Sequence, residues 1–260
     1  MGEIEPKILD CKEFSKDLET VWVPLSDGRK LAARIVLPKT AFEKPVPCIL
    51  EYLPYRRRDG TRARDELNMF WFSANGYAYA RVDISGTGDS DGLVEDEYVL
   101  REQEDGLEVI NWLSKQRWCS GALGMIGISW GGFNGLQIAA RRPRALKAVI
   151  SLCSTVDRFN DDVHFMGGCL LNDNLDWGTA LLTYGALPPD PEIVGEKNWK
   201  KIWEDRINEI ELFPARWLKH QSRDAFWKHG SVQENYGSIA CPVMAISGWA
   251  DGYTSAVFEL

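Results

Sequence analysis

The sequence predicts an α/β protein: a mainly parallel, twisted sheet flanked by helices, with a helical segment inserted late in the chain. Three observations carry this expectation. Strand-length apolar runs alternate with helical ones as far as residue 152, a rhythm that calls for crossover connections and therefore for parallel strands. Runs such as Val46 to Leu53 are apolar nearly throughout rather than at every second position, as expected of a sheet covered on both faces. The third is the stretch Gly127-Ile128-Ser129-Trp130-Gly131, which follows the apolar run Ala122 to Ile128 and precedes the small-residue segment Gly131 to Ala140. It reads as strand, sharp turn, helix.

Taken in order, Val21 to Leu25 and Leu31 to Leu37 read as two strands joined by the turn signal Asp27-Gly28. Val46 to Leu53 is the third strand, followed by Pro54-Tyr55 and a charged loop, Arg56 to Arg64. Asp65 is placed to cap a helix running through Asn75, with Gly76 as its stop. Tyr77 to Ile84 is the next strand and enters the loop Gly86-Thr87-Gly88-Asp89-Ser90-Asp91-Gly92. A long helix follows near Tyr98 to Gln116, with Val99, Ile110 and Leu113 at helical spacing on its apolar side. After the Ser129 stretch and its helix, Leu146 to Leu152 is another strand.

The rhythm then changes. From Ser154 to about Gly237 strand-like runs vanish, and helices are expected at Leu170 to Tyr184, Glu196 to Leu212 and Ala215 to Trp227, separated by prolines. Trp177, Trp199, Trp203, Trp217 and Trp227 all fall here. The segment is expected to form a helical cap, with most of these tryptophans as its core and one such as Trp177 facing the substrate. Alternation resumes with a strand over Pro242 to Ser247 and then Gly248-Trp249-Ala250-Asp251-Gly252. The expected organisation is a first core portion over residues 1–155, a cap insertion over 156–236 and a continuation of the core over 237–260.

Composition narrows the function classes. A formal charge of −8 over 260 residues argues against nucleic-acid and anionic-membrane partners. Residues 1–14 are too charged for a signal peptide, and no apolar run reaches the length of a membrane span. The six cysteines lack C-x-x-C spacing and read as reduced thiols, so a cytoplasmic location is expected. His164, His220 and His229 are too far apart to suggest a metal site, and neither a metal nor a cofactor is expected.

The chemistry starts at Ser129. G-x-S-x-G is the pattern of a nucleophile elbow, in which a serine sits on a cramped turn and the next helix aims its first N–H groups at the reacting centre. A serine hydroxyl needs a histidine base, and that histidine needs a carboxylate to fix its tautomer. Asp251, at the end of a later strand, is placed to be that acid. A rival reading uses the loop Gly86 to Gly92 as a phosphate cradle in a nucleotide-binding module. Its spacing is G-x-G-x-x-x-G, however, and the helix after it starts late.

With these motifs in hand, the sequence resembles the cocaine esterase/X-Pro dipeptidyl-peptidase group of α/β-hydrolases, the CocE/NonD hydrolases. The resemblance rests on Pro54-Tyr55, Arg81-Val82-Asp83, the Gly86 to Gly92 loop and Asp105-Gly106. It continues through Trp112-Leu113, Gln116-Arg117-Trp118-Cys119 with Gly121, Gly127 to Gly132, and Gly248 to Gly252, and so spans about residues 20–255. It implies an α/β-hydrolase fold, Ser129 as nucleophile, Asp251 as triad acid, and an oxyanion hole made by the Trp130 N–H and the Tyr55 hydroxyl. It implies a small-molecule or peptide acyl substrate, with ester or amide cleavage through an acyl-enzyme. Members that act on a free α-amine need acidic residues near the acyl pocket, and Asp161 and Asp162 are the candidates. The family's histidine lies after the acid, and no histidine follows Asp251. The family's C-terminal β-sandwich domain also has no counterpart here. The expectation is therefore an N-terminal piece of a longer enzyme, inactive or nearly so by itself.

Overall fold

The computed structural model describes residues 11–260. Its centre is a seven-stranded sheet built from β1 (Ser15–Pro24), β2 (Lys30–Pro38), β3 (Val46–Leu53), β4 (Ala78–Asp83), β5 (Cys119–Ile128), β6 (Leu146–Leu152) and β9 (Val243–Ile246). The strand order is β1-β2-β4-β3-β5-β6-β9. β1 and β2 form an antiparallel hairpin and β2 meets β4 antiparallel, whereas every pairing from β4 to β9 is parallel. All six residues of β4 are buried, and its charged members Arg81 and Asp83 are buried with the rest, Arg81 against the carboxylates of Glu51 and Asp65.

Helices α1 (Arg62–Ala74), α2 (Leu100–Ser114) and α3 (Trp130–Ala140) make the crossovers. Ten of the eleven residues of α3 are buried, apolar or small apart from Asn134 and Gln137, whose amides are hydrogen-bonded. α2 is amphipathic, yet its buried face holds Glu102, Gln103 and Asp105 beside Val109, Ile110 and Leu113. Asp105 is met by a bidentate ion pair from Arg29 at 2.7 and 2.8 Å. A side chain at Gly106 would collide with Ile138 at 2.6 Å, so the glycine lets α2 lie against α3.

Between β6 and β9 lie the short hairpin β7 (Phe165–Met166) and β8 (Cys169–Leu170), and helices α4 (Asp173–Ala186), α5 (Pro191–Val194), α6 (Trp199–Glu209), α7 (Phe213–Trp217) and α8 (Ala225–Lys228). α9 (Thr254–Glu259) follows β9. This differs from the sequence expectation in detail. The hairpin leaves no signal in the sequence, because its strands are two residues long. The helix expected over Ala215 to Trp227 is two helices, the second capped by the Asp224 carboxylate accepting from the Phe226 N–H at 2.9 Å. Asp65 does not cap α1: the helix begins at Arg62, and buried Asp65 is spent on an ion pair with Arg81 at 2.6 Å.

The segment is riveted to the sheet's carboxyl edge. The buried guanidinium of Arg206 donates to the Gly88 carbonyl at 3.1 Å and the Ser90 carbonyl at 2.8 Å. The Asp190 N–H donates to Asp89 at 2.9 Å. Trp217 and Trp227 are fully buried, whereas Trp199 and Trp203 stack on each other half-exposed.

Candidate active site

The site starts from the steric demands of the β5–α3 turn. A Cβ on Gly127 would lie 2.3 Å from the Gly131 carbonyl carbon, and one on Gly132 would lie 2.9 Å from the Gly127 oxygen. Both distances are well inside van der Waals contact. Only glycine lets strand and helix close this tightly. The residue between them bears the cost: Ser129 has φ 54° and ψ −116°, a left-handed conformation that strains any residue with a Cβ. It is held there by its N–H donating to the Leu152 carbonyl at 2.9 Å, and by its carbonyl accepting from Gly132 and Phe133 at 3.0 Å each.

Trp130 is fully buried, and its backbone N–H donates to the Tyr55 hydroxyl oxygen at 3.4 Å. Tyr55 comes from the loop after β3, two strands away in sequence but adjacent in the sheet. Burial pushes its phenol up, outweighing hydrogen bonds with Ser129 and Trp130 that act the other way. It therefore keeps its proton at neutral pH and remains a donor. The serine, the N–H and the phenol thus converge on one spot, the arrangement required to attack a carbonyl and hold the resulting oxyanion. Tyr184 of α4 packs on Tyr55 at 5.6 Å between centroids, and half-buried Trp177 lies 5.9 Å from Trp130. The inserted segment therefore sets aromatic rings against Tyr55 and Trp130, the two residues that flank the serine.

Asp251 lies in the turn after β9. β5 and β9 flank β6, and the Cys153 N–H, just past β6, donates to the Ile246 carbonyl at 2.8 Å. Ser129 and Asp251 therefore leave the same carboxyl edge two strand spacings apart, about 10 Å. Burial pushes the Asp251 carboxyl up. Donors from the Cys153 thiol, the Tyr253 N–H, the Ser247 hydroxyl and the Gly252 N–H outweigh it and hold it below the usual range. Ser247 donates at 2.9 Å and Tyr253 at 3.2 Å. The carboxylate is ionised and oriented, as a triad acid must be.

None of the three histidines stands beside Asp251 in the hydrogen-bond network. His220 pairs with Asp224 at 2.6 Å, and the His229 Nε2 bonds the Tyr98 carbonyl at 3.0 Å. His164, within the inserted segment, is completely buried. Its Nε2 meets Glu97 at 2.6 Å and its Nδ1 meets Asn174 Oδ1 at 3.0 Å. Burial disfavours its cation, but the Glu97 carboxylate overcomes that effect and raises its pKa.

Asp161 and Asp162 part company. Asp161 accepts from Ser255 at 2.6 Å near the surface. Asp162 is buried; its Oδ1 accepts from the Val163 N–H at 2.8 Å and the Tyr253 hydroxyl at 3.0 Å, and its Oδ2 has no partner. Burial pushes its carboxyl up to about 6. Glu97, Asp162 and His164 bring donor atoms within 4.8 Å of one another and could in principle hold a cation. Glu97, however, already receives His164, Arg158 at 3.0 Å and the Trp177 indole N–H at 3.0 Å, so Glu97 and His164 are engaged in an ion-pair network and only Asp162 keeps an open acceptor.

Sequence reasoning missed Glu97, Glu102, Tyr98 and Tyr253. For Glu102 a signal existed: it falls at helical spacing on the face of α2 marked by Val99, Ile110 and Leu113, where a carboxylate is out of place. The glycine-rich loop proves saturated with internal contacts. A Cβ on Gly88 would strike Asp83 at 2.1 Å, Asp89 pairs with Arg57 at 2.8 Å, and Ser90 bridges Ala32 and the Asp83 carbonyl.

Comparison with known proteins agrees with this architecture. A family profile described as X-Pro dipeptidyl-peptidase (S15 family) matches residues 27–260. The cocaine esterase of Rhodococcus sp. (strain MB1 Bresler) is 27% identical over 256 residues, covering 90% of this chain and 44% of that protein. A CocE/NonD family hydrolase from Staphylococcus aureus superposes with a TM-score of 0.73 at 22% identity, covering 94% of this chain and 43% of the other. An α-amino acid ester hydrolase gives 0.66 at 23% identity, with coverages of 100% and 49%. The chain thus spans about half the length of the relatives it matches. Among the described residues no helix is long and apolar enough to cross a membrane.

Proposed function

We propose that this chain, which belongs to the X-Pro dipeptidyl-peptidase (S15) family, carries the nucleophile half of a serine hydrolase that cleaves ester or amide bonds. The observation that carries the reading is the strained Ser129, with the Trp130 N–H and the Tyr55 hydroxyl 3.4 Å apart beside it. Ser129 Oγ attacks the acyl carbon and its proton passes to a histidine. The carbonyl oxygen takes the negative charge and accepts from Trp130 and Tyr55. The histidine then protonates the leaving alcohol or amine, and water, activated the same way, clears the acyl-enzyme. Asp251 orients the histidine. Since His164, His220 and His229 are all engaged elsewhere, that base is a histidine beyond residue 260.

The partly exposed aromatic rings of Tyr55, Tyr184 and Trp177 favour an apolar acyl or leaving group, and hence an esterase. A second reading, amino-acyl or X-Pro substrates, is favoured by the unpartnered Oδ2 of buried Asp162, an acceptor suited to a substrate ammonium. Asp161, turned toward α9, is the weaker candidate.

The test compares the 260-residue chain with a form extended through the next strand and its loop. Both are assayed on p-nitrophenyl esters, amino-acyl esters and X-Pro amides. The extended form should turn over esters, lose that activity in Ser129→Ala, and far exceed the shorter chain. Equal turnover by both would remove the histidine assignment. An extended, folded form inert toward every substrate would remove the hydrolase.

A further inference from the structure

Directly beneath the elbow lies a carboxylate that the proposed chemistry does not use. Glu102, in the first turn of α2, is buried. Its Oε1 accepts from the Trp130 indole N–H at 2.6 Å and the Asn134 amide at 3.0 Å, and its Oε2 accepts from the Tyr98 N–H at 3.1 Å. Among the described residues no arginine, lysine or histidine is recorded donating to it. The Tyr52 hydroxyl donates to the Glu102 backbone carbonyl at 3.1 Å, and Asn134 also donates to the Tyr52 carbonyl at 2.7 Å. The Tyr98 ring lies on Trp130 at 4.7 Å and on Phe133 at 4.6 Å, and Tyr98 itself has φ 55°.

A buried carboxylate served only by neutral donors is costly unless its geometry is needed. Here it ties the first two turns of α3, through residues 130 and 134, to α2 and to the loop before it. Those are the turns whose first N–H is offered to the oxyanion. We infer that Glu102 is a positioning residue: by gripping the Trp130 indole and Asn134 it holds the Trp130 backbone N–H and the strained Ser129 in register for attack. This rests on the elbow reading above but assigns a residue that the reading does not require.

Because Glu102 accepts from the indole, its own protonation reports on the contact. Burial pushes its carboxyl up to about 7, against the three donors, with the Glu97 carboxylate adding to the rise. The Tyr52 and Tyr98 phenols around it are buried and stay neutral.

The experiment uses the 260-residue chain. The Trp130 indole N–H resonance is identified by its loss in Trp130→Phe. It should shift with an inflection near pH 7 and become pH-independent in Glu102→Gln. Ser129 labelling by a fluorophosphonate, followed over hours, should slow roughly 10–100-fold in Glu102→Gln, the loss that a displacement near 1 Å brings. Trp130→Phe keeps the backbone N–H and should slow by a similar factor, and the double variant should be no slower than either single one. An indole resonance that ignores pH, together with labelling of Glu102→Gln within twofold of the parent, would overturn the inference. Absence of Ser129 labelling in the extended form, which supplies the base, would instead strike the elbow reading and leave the indole titration to decide the role of Glu102.

Discussion

The sharpest consequence of the elbow geometry concerns Gly127→Ala. The added methyl would sit 2.3 Å from the Gly131 carbonyl carbon and 2.5 Å from the Gly131 Cα and oxygen. Ordinary carbon contacts begin about 1 Å further out. The obstacle is backbone at the start of α3, not a flexible side-chain end, so relief requires the helix start to move by that amount relative to β5. Overpacking of this kind costs about 1–3 kcal/mol. For a domain of this size each kcal/mol lowers Tm by about 2–4 °C. The displaced element carries the Trp130 N–H, and a misplacement near 1 Å is worth up to about 10²-fold in rate. The assay pairs thermal unfolding with fluorophosphonate labelling of Ser129. Gly248→Ala is the control, because nothing lies within 4 Å of that position. Expected are a lowered Tm and labelling slowed by at least 10-fold in Gly127→Ala, with Gly248→Ala unchanged. A Gly127→Ala protein that melts with the parent and labels within twofold would show that the turn does not constrain the nucleophile.

Three further outcomes follow from the same structure. Tyr55→Phe removes one of the two proposed oxyanion donors; ester turnover of the extended form should fall by about 10²–10³ while Tm barely moves. Arg81→Met leaves the buried Glu51 carboxylate without its cation and Asp65 with only Arg64, at 2.9 Å, both having stood 2.6 Å from the lost guanidinium; denaturant unfolding should show a loss of about 3–5 kcal/mol. Asp162, with its carboxyl raised to about 6 from 3.8, binds its proton more tightly folded than unfolded. Its contribution to stability is therefore present in acid and is lost as the pH rises from about 4 to 6. Asp162→Asn should remove that dependence, so that variant and parent converge near pH 4 and differ by roughly 3 kcal/mol at pH 8, each tenfold gain in proton affinity being worth about 1.4 kcal/mol. A constant difference across that range would contradict the burial argument.

Strand positions β2 to β6, the hairpin at Asp27-Gly28 and the Ser129 turn were legible in the chain because each is imposed locally. A buried parallel strand is mostly apolar along its length, and a strand closing directly onto a helix must have glycine at positions such as 127 and 132. The inserted segment was legible only as helical, since short helices such as α7 and α8 are defined by caps and contacts rather than by period. The burial of His164 was not legible for a related reason: only Glu97, 67 positions earlier, makes it tolerable.

The sequence by itself determined the α/β architecture and the identities of Ser129, Trp130 and Asp251 as candidates, because backbone sterics and hydrophobic periodicity act over a few residues. The pairing of Tyr55 with the Trp130 N–H was implied by the family resemblance, but the tertiary structure alone decided the other distant groups that meet them: the Cys153 thiol and Ser247 around Asp251, and Glu102 under the indole. Those pairings depend on strand order and helix docking, and no local pattern encodes them. A hydrogen bond between residues 28 or 75 positions apart exists only once the sheet has brought its strands side by side.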